Sequence, residues 1–393
     1  MAPLLFISAG EVSGDLHGAH LARALLERLP DLRLRGLGSY RMKEAGVEVL
    51  DDITRYSAVG LLEHLPGVRP VSAALQAARE SLAAERPSAV VLIDYQGMNM
   101  QLARTAKAMG IPTLYYISPQ EWIWGFKGGA RKVAEVTDLI LAVFEREAEV
   151  YRAAGAQVEF IGHPLLDMVP PSSERGALAQ RLGLDSTAAI VSLFPGSRRM
   201  EVRRLLPAML EAASLMRGEL PEIQFLLPVA TPDLMDLISP LLLAHDDLKV
   251  ILCQDVPGMA LMQLSDVVLA ASGTVILESA VVGTPVVAAY RVGRLAAFVA
   301  RRLMRRPFVT LPNIVADEFI VPELLQRDAT GSRMAETVLG LLQNPRERFE
   351  MIQRLGQVRA KLGTPGAIAR AADRILANLT PKGNRGARAS GRG

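Results

Sequence analysis

Asp266-Val-Val-Leu-Ala-Ala-Ser-Gly-Thr274 is a short, unbroken apolar run that gives way to a glycine-centred turn and then to Val275-Ile-Leu-Glu278, which has helical spacing. A strand that is apolar on both faces, followed at once by a Gly turn and a helix, is the unit of a buried parallel sheet. The same grammar recurs along the chain. Pro3–Ser8, Ala89–Asp94, Thr113–Ser118 and Leu139–Val143 are continuous apolar runs separated by helical segments. After Val169-Pro-Pro-Ser-Ser173, read as a linker, it restarts with Ala189–Phe194, Ile223–Pro228, Lys249–Leu252, Asp266–Ala270 and Pro285–Ala289. The expectation is an α/β protein with two Rossmann-like domains, one over 1–168 and one over 176–362, and a ligand cleft between them. A helix near 365–380 is expected to pack back on the first domain.

Composition sets bounds on this reading. At 393 residues, half of them hydrophobic, the chain is long enough for two cores. A single cysteine, Cys253, excludes an internal disulfide and a cysteine-rich metal site, which suits a reducing compartment. The apolar start, Met1 to Ala9, has no charged leader and reads as a first strand. The most hydrophobic stretch, Val267 to Tyr290, is interrupted by Glu278, Gly283 and Pro285, so it reads as two buried elements and not a membrane span. The segment 381–393 holds four cations and no acid, so the net charge of +3 becomes −1 for the rest of the chain. That tail is expected to be disordered, and no nucleic-acid partner is inferred from it.

Three loops carry the chemistry, and each follows a strand. Ser272-Gly273-Thr274 would offer backbone N–H groups at a helix start, where the dipole favours an anion such as a diphosphate. Glu278, one turn on, shares a face with Thr274 and suits ribose hydroxyls; an N-cap with an ordinary helical Glu fits the same spacing. Pro195-Gly196-Ser197-Arg198 pairs a permissive glycine with a guanidinium that matches phosphate oxygens, although a capping turn with a surface arginine fits too. In the first domain, Ala9-Gly-Glu-Val-Ser-Gly-Asp15 supplies Glu11, Ser13 and Asp15, and Asp94 ends the Ala89–Asp94 run. Asp94 is placed as a general base, with Glu11 and Asp15 as competitors.

Departure of a nucleotide diphosphate needs cationic stabilisation, and the chain contains no Asp-x-Asp with which to hold a metal. A metal-free mechanism is therefore expected, with no cofactor. The five histidines show no metal-ligand spacing; His163, in Phe160-Ile-Gly-His-Pro164, either lines the cleft or makes a structural hydrogen bond. Two stretches suit an anionic lipid surface: Trp122-Ile-Trp124 beside Lys127, Arg131 and Lys132, and the acid-free run Tyr290–Val315 with Phe298, Arg301, Arg302 and Arg305.

With those residues in place, the chain resembles the lipid-A-disaccharide synthase family of inverting glycosyltransferases with the GT-B fold. The resemblance runs from Leu4 to Leu379. It is carried by Ala9–Asp15, Ile93-Asp-Tyr95 with Asn99, Ile117-Ser-Pro-Gln120 with Trp122 and Trp124, Phe160–Pro164, Leu193–Arg198 with Glu201, Ala271–Thr274 with Glu278, and Leu311-Pro-Asn313. It implies transfer of a diacylated glucosamine from UDP to the 6-hydroxyl of a diacylglucosamine 1-phosphate, on the cytoplasmic face of the inner membrane, by a peripheral enzyme. It also places the family's essential acid on Asp94, its first-loop glutamate on Glu11, its phosphate arginine on Arg198, its nucleotide-side glutamate on Glu278 and its cleft asparagine on Asn313. Gln96 and Met98 stand where the family commonly has Pro and Phe, and Glu121 replaces a usually apolar residue. A different acceptor, or a UDP-N-acetylglucosamine 2-epimerase-like isomerase, is the competing reading, and a non-catalytic two-domain binder is a third.

Overall fold

The computed structural model describes residues 2–56, 64–124, 128–291, 293 and 307–379. It divides into two compact units, Met1–Asp167 together with the segment from Thr364 onward, and Met168–Gly363. Each is built on one parallel sheet.

In the first unit the strands are β1 (Leu4–Ala9), β2 (Arg33–Gly38), β3 (Glu48–Asp52), β4 (Ala89–Ile93), β5 (Thr113–Tyr116), β6 (Leu139–Ala142) and β7 (Val158–Phe160). Their order is β3-β2-β1-β4-β5-β6-β7, and every pairing is parallel. β1, β4, β5 and β6 are buried along their whole length, which is why they read as continuous apolar runs and not as alternating ones. β3 lies at the edge with β2 next to it; both carry more partly exposed residues and escaped the sequence reading.

The second unit repeats the plan with β8 (Ile190–Phe194), β9 (Gln224–Pro228), β10 (Ile251–Cys253), β11 (Val267–Ala271), β12 (Val286–Tyr290) and β13 (Glu323–Leu325), ordered β10-β9-β8-β11-β12-β13 and again all parallel. In each sheet the direction of strand addition reverses once, between β1 and β4 and between β8 and β11. A crevice opens at the carboxyl ends of the two strands flanking such a reversal. The loops after β1, β4, β8 and β11 are the stretches 9–15, 94–99, 195–198 and 272–274.

The helix Ala367–Leu379 returns to the first unit and packs on the helix Val12–Arg28. Asp167 anchors its start: the carboxylate accepts the backbone N–H of Ile368 at 2.8 Å and that of Gly366. Arg370 Nε donates to the Ile161 carbonyl at 2.8 Å, and ion pairs Arg28–Asp373 and Arg374–Glu159 flank the contact. Asp167→Ala removes acceptors for two end groups of the helix, a loss worth about 1 kcal/mol. The expected outcome is faster amide exchange across 367–379 with little change in the second unit, measured by hydrogen–deuterium exchange mass spectrometry.

Candidate functional site

At the ends of β4 and β5 the backbone leaves its ordinary range. Asp94 (φ +47°), Tyr95 (φ +43°) and Ile117 (φ +58°) all take left-handed conformations, and the Asp94 N–H donates to the Ile117 carbonyl at 3.0 Å. Such residues cost about 1–3 kcal/mol each and persist only where their surroundings over-determine them. Asn99 does much of this. Fully buried, its Nδ2 donates to the carbonyls of Ile93 (3.0 Å) and Asp94 (2.8 Å), while its Oδ1 accepts from the Ser8 hydroxyl at 2.7 Å. Gly10 completes the seat, because a Cβ there would lie 2.1 Å from the Tyr95 ring. The first loop and the Asp94 turn are therefore packed together, with Glu11 as N-cap of Val12–Arg28 and both Glu11 and Asp94 half-buried.

Several first-unit residues expected to face a ligand are employed otherwise. Asp15 is buried, and its carboxylate accepts N–H groups from Ser39 (2.7 Å), Arg41 (3.2 Å) and Met42 (3.3 Å), capping the helix Tyr40–Glu44. Burial raises its pKa while those three N–H bonds pull it down. Its carboxylate anchors the start of that helix. Asn99, spent on the turn, likewise acts on Asp94 from beneath. His163 is buried, accepts the Leu165 N–H on Nδ1 at 3.2 Å, and packs edge-on against Phe144 (5.1 Å) and near His17 (6.4 Å). Burial, then the neighbouring His17, holds its pKa well below 6.5, so the ring is neutral. Its contacts fit the structural alternative. Ser13 is half-buried on the first turn of its helix.

The segment after β5 contains an unanticipated pair. Gln96 Nε2 donates to Glu121 Oε1 at 2.6 Å, tying the start of the helix Gln96–Ala108 to the segment after β5. Beside it, the Trp122 ring packs on Phe144 at 5.1 Å. Trp124 ends the helix Glu121–Trp124, and its side chain lies outside the described residues, as do Phe298, Arg301, Arg302 and Arg305. Glu147, not singled out from sequence, is a buried carboxyl accepting from the N–H groups of Val143 (2.8 Å) and Phe144 (3.1 Å) and from the Ser118 hydroxyl. Burial outweighs these bonds and pushes it up to about 7.

In the second unit, Gly196 has φ +113°, and a Cβ on it would meet Glu201 Oε2 at 2.3 Å. Arg198 is the N-cap of the helix Arg199–Glu219, and Glu201, three residues on, reaches back to the N-cap backbone. Its carboxylate accepts the N–H groups of Ser197 (3.2 Å) and Arg198 (3.4 Å) and lies 3.6 Å from Arg198 Nη1. The spacing Arg198-x-x-Glu201 carried this signal.

Ser272 is half-buried after β11, with Gly273 and Thr274 exposed at the start of the helix Thr274–Val282. Glu278 lies one turn in, and burial pushes it up to about 7, opposed by the Thr274 hydroxyl bond. Asn313 is placed differently from the expectation of a ligand-facing asparagine. It is fully buried, with Nδ2 donating to Val321 O and Glu323 Oε1 (2.9 Å each) and Oδ1 accepting from the N–H groups of Ile320 and Val321 (2.8 Å each). All four hydrogen-bonding positions are used inside the unit. Among the described residues no group of three His, Cys, Asp or Glu side chains is arranged to hold a metal ion, and no helix is long and apolar enough to cross a membrane.

Two parallel α/β domains with motif loops at their strand-order reversals define a protein of the GT-B glycosyltransferase type. Solved structures agree on the fold: UDP-GlcNAc 2-epimerase from Neisseria meningitidis bound to UDP-GlcNAc superposes with a TM-score of 0.65 at 13% identity, covering 96% of this chain and 100% of that one. MurG from Acinetobacter baumannii gives 0.56 at 14% identity, covering 95% and 99%. The family model described as lipid-A-disaccharide synthetase matches residues 5–370, and the chain belongs to that family. It is 41% identical over 375 residues to the lipid-A-disaccharide synthase of Geobacter sulfurreducens, covering 95% of this chain and 97% of the relative. The corresponding enzyme of Coxiella burnetii is 39% identical over 375 residues, covering 95% and 98%.

Glu278 gives a signed pH test. Its folded pKa, about 7, stands above its ordinary 4.5, so the stability gained from keeping it neutral is full below 4.5 and is lost as pH rises through about 7. Between pH 5 and pH 8 the Tm of the wild type should therefore fall relative to that of Glu278→Gln. Parallel melting curves across that range would contradict the assignment.

Proposed function

We propose that this chain joins UDP-2,3-diacylglucosamine to 2,3-diacylglucosamine 1-phosphate, forming the β-1,6-linked lipid A disaccharide and releasing UDP. Family membership across residues 5–370, with 41% identity to a curated lipid-A-disaccharide synthase, carries this reading. The motif geometry gives it a mechanism. The acceptor 6-hydroxyl oxygen attacks the anomeric carbon as the bond from that carbon to the UDP oxygen breaks, and attack opposite the leaving group inverts the centre.

Asp94 takes the hydroxyl proton, with Glu11, across the seat formed by Gly10, as the alternative base. The negative charge growing on UDP is met by Arg198 and by the N–H groups at the start of Thr274–Val282, with Gly196, Ser197, Ser272 and Gly273 shaping the backbone around it. Glu278 accepts hydrogen bonds from the ribose hydroxyls while the Thr274 hydroxyl and its loop hold the phosphates. No step requires a metal.

The lipid substrates place the reaction at the inner membrane's cytoplasmic surface. Trp122 and Trp124, and the cationic run with Phe298, Arg301, Arg302 and Arg305, are the proposed contacts with anionic lipid. The epimerase alternative draws on fold likeness at 13% identity, whereas the family match spans nearly the whole chain.

The test is UDP release from UDP-diacylglucosamine in detergent, with and without diacylglucosamine 1-phosphate and with and without chelator. Release that depends on the acceptor and ignores chelator is expected; UDP binding without release would favour another acceptor or an isomerase. Asp94→Asn is expected to lower kcat by about 10²–10⁴-fold while leaving the Kd for UDP within about twofold. Loss of both together would mean that Asp94 is structural.

A further inference from the structure

Tyr115 is the third residue of β5 and is completely buried, with no exposed face to offer a substrate. Its ring belongs to the apolar core of the first unit. Its hydroxyl nevertheless donates to the carbonyl oxygen of Asp94 at 2.8 Å, the same oxygen that accepts Asn99 Nδ2 at 2.8 Å. Both lone pairs of one carbonyl are thereby held, from the sheet by Tyr115 and from the following helix by Asn99. The residue so held has φ +47°, is followed by Tyr95 at φ +43°, and bonds through its N–H to Ile117, itself at φ +58°. A β-branched residue in that region is a true outlier, so backbone strain is concentrated at two neighbouring strand ends.

We propose that Tyr115 is a positioning residue for the Asp94 carboxylate, acting through the Asp94 carbonyl to keep the strained strand end from relaxing. The inference rests on Asp94 being the group that accepts the proton. Were Asp94 to return to the β region, its Cα–Cβ bond would swing and carry the carboxylate with it. A displacement of about 1 Å at a reacting group costs on the order of 10²-fold in rate. The phenol suits this task because it stays protonated: burial first, and the nearby Asp94 charge second, raise its pKa well above 10. It therefore remains a donor at every pH at which the enzyme would be assayed.

Tyr115→Phe deletes one oxygen and leaves the ring in the core. The expected result is a fall in kcat of about 10–100-fold, with KM for the UDP-sugar and Kd for UDP within about twofold of wild type. Tyr151→Phe is the matched control, since that buried hydroxyl donates at 2.7 Å to Pro119 O and not to Asp94. It should lose comparable thermal stability while keeping kcat. In an Asp94→Asn background, Tyr115→Phe should lower the residual rate no further.

The outcomes separate the two ideas. Wild-type turnover by Asp94→Asn would overturn the role of Asp94, and this inference with it. A crippled Asp94→Asn beside a Tyr115→Phe of wild-type kcat would overturn the inference alone. An equal loss of kcat in Tyr151→Phe would reduce the effect to general destabilisation and overturn it as well.

Discussion

Both units rest on one constraint: an all-parallel sheet must be covered on both faces, so its strands are mostly apolar and any polar side chain within them has to be hydrogen-bonded. β1, β4, β8 and β11 are buried throughout and apolar but for Ser8 and Ser192, whose hydroxyls are hydrogen-bonded to Asn99 and Ser265. Polar chemistry is confined to the loops that leave the strand ends, and the reversals of strand order at β1/β4 and β8/β11 decide which of those loops border an open crevice. Glu11, Asp94, Arg198 and Thr274 occupy those four loops. Their placement follows from hydrogen-bond topology before any ligand is considered.

The same constraint explains what could be read from the sequence. Continuous apolar runs marked the central strands well, and the glycine-led loops behind them marked where a site belongs. The edge strands β3, β7 and β13, and β2 beside β3, were missed because they mix polar and apolar residues: Arg33-Leu-Arg-Gly-Leu-Gly38 alternates, and Glu323-Leu-Leu325 is only three residues long. Within the site, residue type gave candidates but not allegiance. Asp15 and Asp94 are both acids after strands of the first unit, yet Asp15 accepts three backbone N–H groups while Asp94 sits on a left-handed turn. Nothing in composition or spacing separates them. Asn99 and Asn313 were recognised through family pattern, but their complete burial is a tertiary fact. Tyr115 gave no polar signal at all, since a tyrosine inside Thr113–Ser118 reads as core.

Electrostatics differ between the two carboxyl-bearing environments. Glu201 accepts two backbone N–H groups and lies beside a guanidinium. Glu147 and Glu278 are desolvated more than they are compensated, and both are pushed up to about 7. The Glu201 carboxylate rests on the N–H groups of Ser197 and Arg198, so in this structure those two donors are engaged within the loop's own helix start. The Gln96–Glu121 bond is a different case, in which a side-chain amide and a carboxylate satisfy each other.

The return of Ala367–Leu379 to the helix Val12–Arg28 makes the first unit discontinuous in sequence. On the ribosome, the whole of Met168–Gly363 is synthesised before the helix that Asp167 anchors. The second unit has all its residues first, and the first unit spends that interval with the face of Val12–Arg28 uncovered. Synthesis order thus runs opposite to assembly order: the domain that begins the protein is the last to be finished.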